Sequence, residues 1–128
     1  MTVEPPRLFV YGTLQPGRLR WPFLEPYAVG HRPAEVPGAL FDSGYGWPVA
    51  TFVGDAAGAT VPGTLVELDP EHLAEALVVL DEVEATATDL LARVAVTTTE
   101  GTAAWAYDCR RPQPHMRRIE RWSSTAER

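Results

Sequence analysis

The chain predicts an α+β fold built on a curved or barrel-like sheet. Three observations carry this: short apolar runs of strand length recur along the chain, a single stretch has sustained helical periodicity, and a late Glu-Gly turn joins two strand-like runs into a hairpin. With 128 residues it reads as one domain, 1–128, large enough to bury a core without disulfide or metal staples. No repeat or low-complexity tract interrupts it.

Taken in order, Arg7–Tyr11 is the first strand, stopped by Gly12 and a Pro16-Gly17 turn. Gln15–Pro26 is a loop or a short helix around Arg18–Leu24. Tyr27–Val29 and Ala39–Phe41 are strands, separated by Gly30 and by Pro33 and Pro37, which supply no ladder donors. Ser43–Pro48 is a glycine-rich loop leading into Val49–Val53. A turn at Asp55–Gly58 precedes Val61–Leu68, which alternates as a half-buried strand should. Leu90–Thr98, Glu100-Gly101 and Ala103–Cys109 complete the hairpin.

The helix spans Pro70–Glu84. Asp69 is suited to the N-cap, Pro70 to the first helical position, and Glu71 to the positive end of the dipole. Leu73, Leu77 and Leu80 form one apolar face, and at about 100° per residue Glu84 falls back onto its centre, with Glu75 and Glu82 on the far side. If the helix persists to Glu84, that carboxylate points inward, and burial raises its pKa toward the range of a general base. If the helix ends near Asp81, Glu84 is a solvated loop residue. Both readings stand at this level.

The second candidate region is Tyr11-Gly12-Thr13-Leu14, at the end of the first strand. A glycine there lets the chain turn, and the N–H groups of the loop can receive an anion or a carbonyl oxygen.

Composition narrows the chemistry. All 11 basic side chains are Arg, so Schiff-base and phosphate-loop lysines are excluded. Net charge is −6, while Arg110, Arg111, Arg117, Arg118 and Arg121 crowd a basic C-terminal tail, 110–128. Without interleaved aromatics or a nucleic-acid-binding motif, that tail reads as lying across the acidic body or solvated, not as a nucleic-acid contact. No apolar run is long enough for a bilayer, the N-terminus lacks a signal-peptide pattern, and Cys109 stands alone. These features fit a cytoplasmic protein with no membrane partner, as monomer or homodimer.

Other constellations are weaker. His31, His72 and His115 lack metal-ligand spacing, so no metal is expected. Cys109 with His115 imitates a thiol–imidazole pair, but a cysteine ending an apolar strand is ordinarily core. The glycines match no dinucleotide or Walker pattern, and Ser43, Ser123 and Ser124 lack a nucleophile elbow. Asp81, three residues before Glu84, is either a structural hydrogen-bonder or the functional acid.

Tyr11-Gly12-Thr13-Leu14 after a first strand resembles the substrate-binding loop of the gamma-glutamylcyclotransferase-like family. Leu80-Asp81-Glu82-Val83-Glu84 resembles the family's Leu-Asp-x-x-Glu signature, whose last residue is the catalytic acid/base. Gly46-Trp47-Pro48, Val61–Leu68, Ala104–Tyr107 and Ile119–Trp122 follow in the family's order, so the resemblance runs from about Leu8 to Trp122. It implies a small mixed barrel flanked by helices, and a gamma-glutamyl compound as substrate. It also implies ring closure by the substrate's own α-amine to 5-oxoproline, with Glu84 as base and no cofactor. Tyr11, Gly12, Thr13 and Leu14 would bind substrate, with Trp47 and Tyr107 as pocket walls. Two departures stand out: Ala85 replaces the family's Gly, and Leu91 replaces a Tyr two residues before Arg93. They motivate an alternative, a noncatalytic small-molecule binding domain on the same fold.

Overall fold

The computed structural model describes residues 5–44, 46–52, 58–87, 91–109 and 112–121. A five-stranded sheet has the order β2-β5-β1-β7-β6, with β1 Arg7–Val10, β2 Ala28–Pro37, β5 Thr60–Leu68, β6 Leu91–Thr97 and β7 Ala103–Cys109. A three-stranded sheet places β3 Ala39–Asp42 between β4 Pro48–Thr51 and β8 Arg117–Ile119. The helices are α1 Trp21–Leu24, continued by a 3-10 turn, and α2 Leu73–Ala87. The architecture is the expected mixed α+β fold with helices flanking a sheet. Among the described residues no closed barrel is shown: the strands pair as one five-stranded and one three-stranded sheet, and the Thr99 N–H, just past β6, donates to the Glu35 carbonyl of β2 at 2.9 Å.

Strand β1 is the organising element. It pairs antiparallel with β5, Phe9 opposite Leu65, and parallel with β7, Leu8 opposite Trp105. Its alternation sends Leu8 and Val10 to the face covered by α2, where they meet Val66, Leu68, Leu80 and Tyr107. Phe9 and Tyr11 go to the opposite face, against Leu65, Ala106, and Leu40 and Ala50 of the small sheet. Covered on both sides, the Leu8–Val10 stretch of β1 tolerates only apolar residues, which is why it reads as a hydrophobic run; Arg7, at the half-buried start of the strand, pairs with Glu67 at 2.8 Å. The sheets are also joined by Asp108 of β7, fully buried, which accepts the Phe52 N–H at 2.7 Å.

Three elements differ from expectation. The strand read at Tyr27–Val29 runs ten residues, Ala28–Pro37, through both prolines. That is compatible with an edge strand, where a missing donor costs no ladder bond on the open side. Residues 117–119 of the basic tail form β8 on β3, with Arg117 3.4 Å from Asp42 and Arg118 over the Phe41 ring. The tail therefore lies on the body through backbone pairing, a register that charge alone does not reveal. Helix α2 runs three residues beyond Glu84, to Ala87. The Asp69 cap is present, its carboxylate accepting the Glu71 N–H at 3.0 Å. Among the described residues no helix is long and apolar enough to cross a membrane. Val53, the turn residues 55–57, Leu90, Arg110, Arg111 and Trp122 lie outside the described residues.

Gly63 on β5 sits where a Cβ would strike the Val10 carbonyl and come within 2.8 Å of the Phe9 ring. Gly63→Ala is expected to destabilise the protein by about 1–3 kcal/mol, as overpacked cores do. Gly30→Ala, with nothing within 4 Å of its new methyl group, is expected to be close to neutral. Urea unfolding of the two variants checks the contrast.

Candidate active site

Where β1 ends, its loop enters the gap between the α2 layer and the small sheet. A narrow pocket there is walled by Tyr11, Gly12, Thr13 and Leu14 from the loop, Trp47 and Pro48 from the approach to β4, Tyr107 from β7, and Glu84 from α2. Phe9, Val10 and Arg20 complete it. All seven residues singled out from the sequence thus meet in one cavity, although Tyr11 and Tyr107 are 96 positions apart.

The loop is shaped by close approach. Gly12 does not have a positive φ, contrary to the usual reason for a glycine at a turn. A Cβ on it would lie 2.7 Å from Pro48 Cγ, so glycine is what lets the loop pass the Trp47-Pro48 segment. The Gln15 N–H donates to the Gly12 carbonyl and the Arg20 N–H to the Thr13 carbonyl, at 3.1 and 2.8 Å. Among the described residues, none of the backbone hydrogen bonds formed by turns and loops uses the N–H of Gly12, Thr13 or Leu14. The Tyr11 hydroxyl donates to the Tyr107 carbonyl at 2.6 Å. Burial pushes its pKa well up, with the Glu84 charge adding to the effect, so Tyr11 remains a neutral donor.

Glu84 takes the inward of the two readings. Its side chain is 12% exposed, while Glu75 and Glu82 on the opposite side are exposed. Burial raises its carboxyl from 4.5 to about 7, and the Arg20 guanidinium 4.0 Å away opposes part of that rise. Without Arg20 the carboxyl would be harder still to ionise.

Asp81 resolves as the structural partner. Its carboxylate accepts from Arg93 Nε at 2.9 Å and Nη2 at 3.2 Å, and from the Tyr107 hydroxyl at 2.9 Å. The Arg93 guanidinium also stacks 4.5 Å over the Trp105 ring. The pair is half-exposed, so its energetic contribution is modest; its geometric effect is to pin α2 to β6 and β7 one turn before Glu84. Burial, followed by the Asp81 charge, holds the Tyr107 hydroxyl in its protonated form. Leu91 does not line the pocket; it packs between the helix-side core and the Cys109–Met116 cluster. His115 Nε2 lies 2.9 Å from the Ser43 carbonyl, which absorbs that ring in the loop architecture.

Arg20 is the site residue that sequence reasoning missed. It belongs to no periodic pattern, lying in the loop before α1, six residues beyond Leu14. The available signal was its closeness in sequence to the strand-end loop.

Comparison with known proteins gives this site a context. The sequence profile of the family described as gamma-glutamyl cyclotransferase, AIG2-like, matches residues 8–124. The chain belongs to that family. Membership supports a cyclotransferase-type function in general. Comparison with curated proteins gives no match. Among solved structures, a protein specific to uropathogenic E. coli is 18% identical with a TM-score of 0.66, over 90% of this chain and 87% of that one. The uncharacterized protein PH0828 from Pyrococcus horikoshii is 20% identical with a TM-score of 0.62, over 94% and 87%. An AIG2-like protein from Mus musculus is 17% identical with a TM-score of 0.63, over 94% and 90%. At these identities the likenesses speak to the fold that this gamma-glutamyl cyclotransferase-family chain shares with them.

The raised Glu84 carboxyl has a consequence for stability. Its folded pKa, about 7, exceeds the ordinary 4.5, so the folded state holds that proton more tightly than the unfolded one. The stabilisation is fully present below the unfolded pKa and is lost as pH rises through the folded value, on the order of 3 kcal/mol. Glu84→Gln, which cannot ionise, is expected to be more stable than the parent at about pH 8 and close to it at about pH 4.5. Thermal unfolding of both proteins across that range measures the difference.

Proposed function

We propose that this protein cleaves a γ-glutamyl amide by intramolecular attack of the substrate's α-amine, releasing 5-oxoproline and an amine or amino acid. The observation that carries the reading is a buried carboxyl, poised at about 7, on the wall of the cavity that also contains the strand-end amide loop. Family membership gives the same direction.

The substrate carries its own nucleophile, so the site needs to position it, remove a proton and stabilise charge. At neutral pH the α-amine is an ammonium ion. Glu84, with an affinity for protons matched to that pH, accepts one, and the free amine attacks the γ-carbonyl carbon. A carbon–nitrogen bond forms as the carbonyl π electrons move to oxygen. The N–H groups of Gly12, Thr13 and Leu14 are suited to that oxyanion. Collapse breaks the amide bond as Glu84 returns its proton to the departing nitrogen; the new ring nitrogen then sheds its extra proton to the Glu84 carboxylate, which passes it to the released amine, so that the amine leaves as an ammonium ion. Holding amine and carbonyl in the ring-closing conformation contributes much of the acceleration. Trp47 and Tyr107 form the walls against which the glutamyl chain lies. The leaving amine is the open variable: an amino acid, a glutathione-like peptide, a lysine side-chain amide or a polyamine all satisfy the chemistry.

A panel of such γ-glutamyl compounds, assayed for 5-oxoproline, tests the proposal. Glu84→Gln keeps shape but cannot accept the ammonium proton, and is expected to lose about 10²–10⁴-fold in turnover on the best substrate while still binding it. Equal turnover by parent and variant would remove Glu84 from the base role. Ligand binding without product from any compound would establish the noncatalytic alternative that Ala85 and Leu91 motivate.

A further inference from the structure

Arg20 is the one basic side chain among the described residues lining the pocket, and the chemistry above leaves it without a ligand. Its backbone N–H is bonded to the Thr13 carbonyl, so it is tied to the same loop that presents the amides. Its side chain is only 23% exposed. A guanidinium carries five N–H donors in a planar fork and stays charged. Among the described residues its two side-chain contacts are Glu84, with Nη1 4.0 Å from Oε1, and the face of Trp47, with its centre 5.8 Å from the ring centroid. The first distance suits an ion pair but is too long for a hydrogen bond, and the second contact uses the ring's electrons. The fork is thus oriented on the pocket wall with its donors open to an incoming acceptor.

We infer that Arg20 binds the α-carboxylate of the substrate, opposite Glu84, which faces the α-ammonium. The inference rests on the γ-glutamyl reading above and deepens it into a basis for specificity. One cation and one anion lie 4.0 Å apart on the same cavity. That arrangement complements an α-amino acid, which carries both opposite charges on a single carbon. Planar bidentate pairing is what a guanidinium offers a carboxylate. With the carboxylate held there, the loop amides are left to the γ-carbonyl oxygen, and the two recognition tasks fall to different groups. The site then reads the glutamyl head group by charge and leaves the amine side to the walls of the pocket.

The test compares a γ-glutamyl amide with its 4-aminobutanoyl counterpart, which lacks only the α-carboxylate and closes to pyrrolidin-2-one. The parent protein is expected to favour the γ-glutamyl compound in kcat/KM. Arg20→Gln is expected to lower that preference by about 10–100-fold, chiefly through KM, with Arg20→Lys intermediate. The ratio is diagnostic because any change in Glu84 ionisation acts on both compounds alike. Equal losses on the two compounds would overturn the assignment. If Arg20→Gln does not fold, Arg20→Lys decides by the same ratio. If the parent turns over neither compound, the γ-glutamyl function itself fails, and NMR titration with 5-oxoproline and pyrrolidin-2-one decides Arg20 separately. Carboxylate-dependent binding lost in Arg20→Gln would sustain the clamp; binding that is absent or unchanged would overturn it.

Discussion

Burial of β1 on both faces is the constraint from which the rest of the molecule follows. A strand covered on one side can alternate apolar and polar residues; one covered on both must be apolar throughout. Leu8 and Val10 require a helical layer, and Phe9 and Tyr11 require a second sheet. Where β1 ends, the pocket lies between these two layers, lined by Glu84 from the helical layer and by Pro48 from the small sheet. The Tyr11–Leu14 loop enters it because the strand ends there, and Gly12 enters it because only glycine clears Pro48.

Against this apolar frame, the charges are few and costly. Glu84 is ionised with difficulty, and the same burial that raises its pKa makes it suited to proton transfer near neutrality. A mutation that neutralises it relieves stress in the fold, while the proposed chemistry depends on its charge. Arg20 moderates that stress from 4.0 Å without quenching the carboxylate in a close hydrogen-bonded pair. The tighter bidentate pairing is reserved for Asp81 and Arg93, one turn earlier, where it anchors α2 and serves architecture. Two carboxylates three residues apart on one helix are thereby given different tasks by what faces each of them.

Strand β8 shows how backbone pairing overrides composition. Arg117 and Arg118 carry a charge pattern that suggests solvent or a polyanion, yet β3 holds them in register with Phe41 and Asp42. Exposure of both side chains permits this, since a strand on the edge of a small sheet can direct its basic groups outward while Ile119 faces the core. The same edge logic admits Pro33 and Pro37 into β2.

The sequence by itself determined what depends on neighbours along the chain: the apolar run of β1, the Asp69 cap, the hairpin at Glu100-Gly101, and the angular position of Glu84 on the face of Leu73, Leu77 and Leu80. Capping, turn chemistry and helical periodicity are local, so they survive in one dimension. Whether α2 reached Glu84 was undecidable there, because its last turns are held by contacts between Asp81, Arg93 and Tyr107 that are 12 and 26 residues distant. The length of β2, the pairing of β8 and the place of Arg20 were likewise settled by tertiary structure. Each depends on which strand has an unpaired edge or which loop lies across a cavity, and no spacing of residues encodes that.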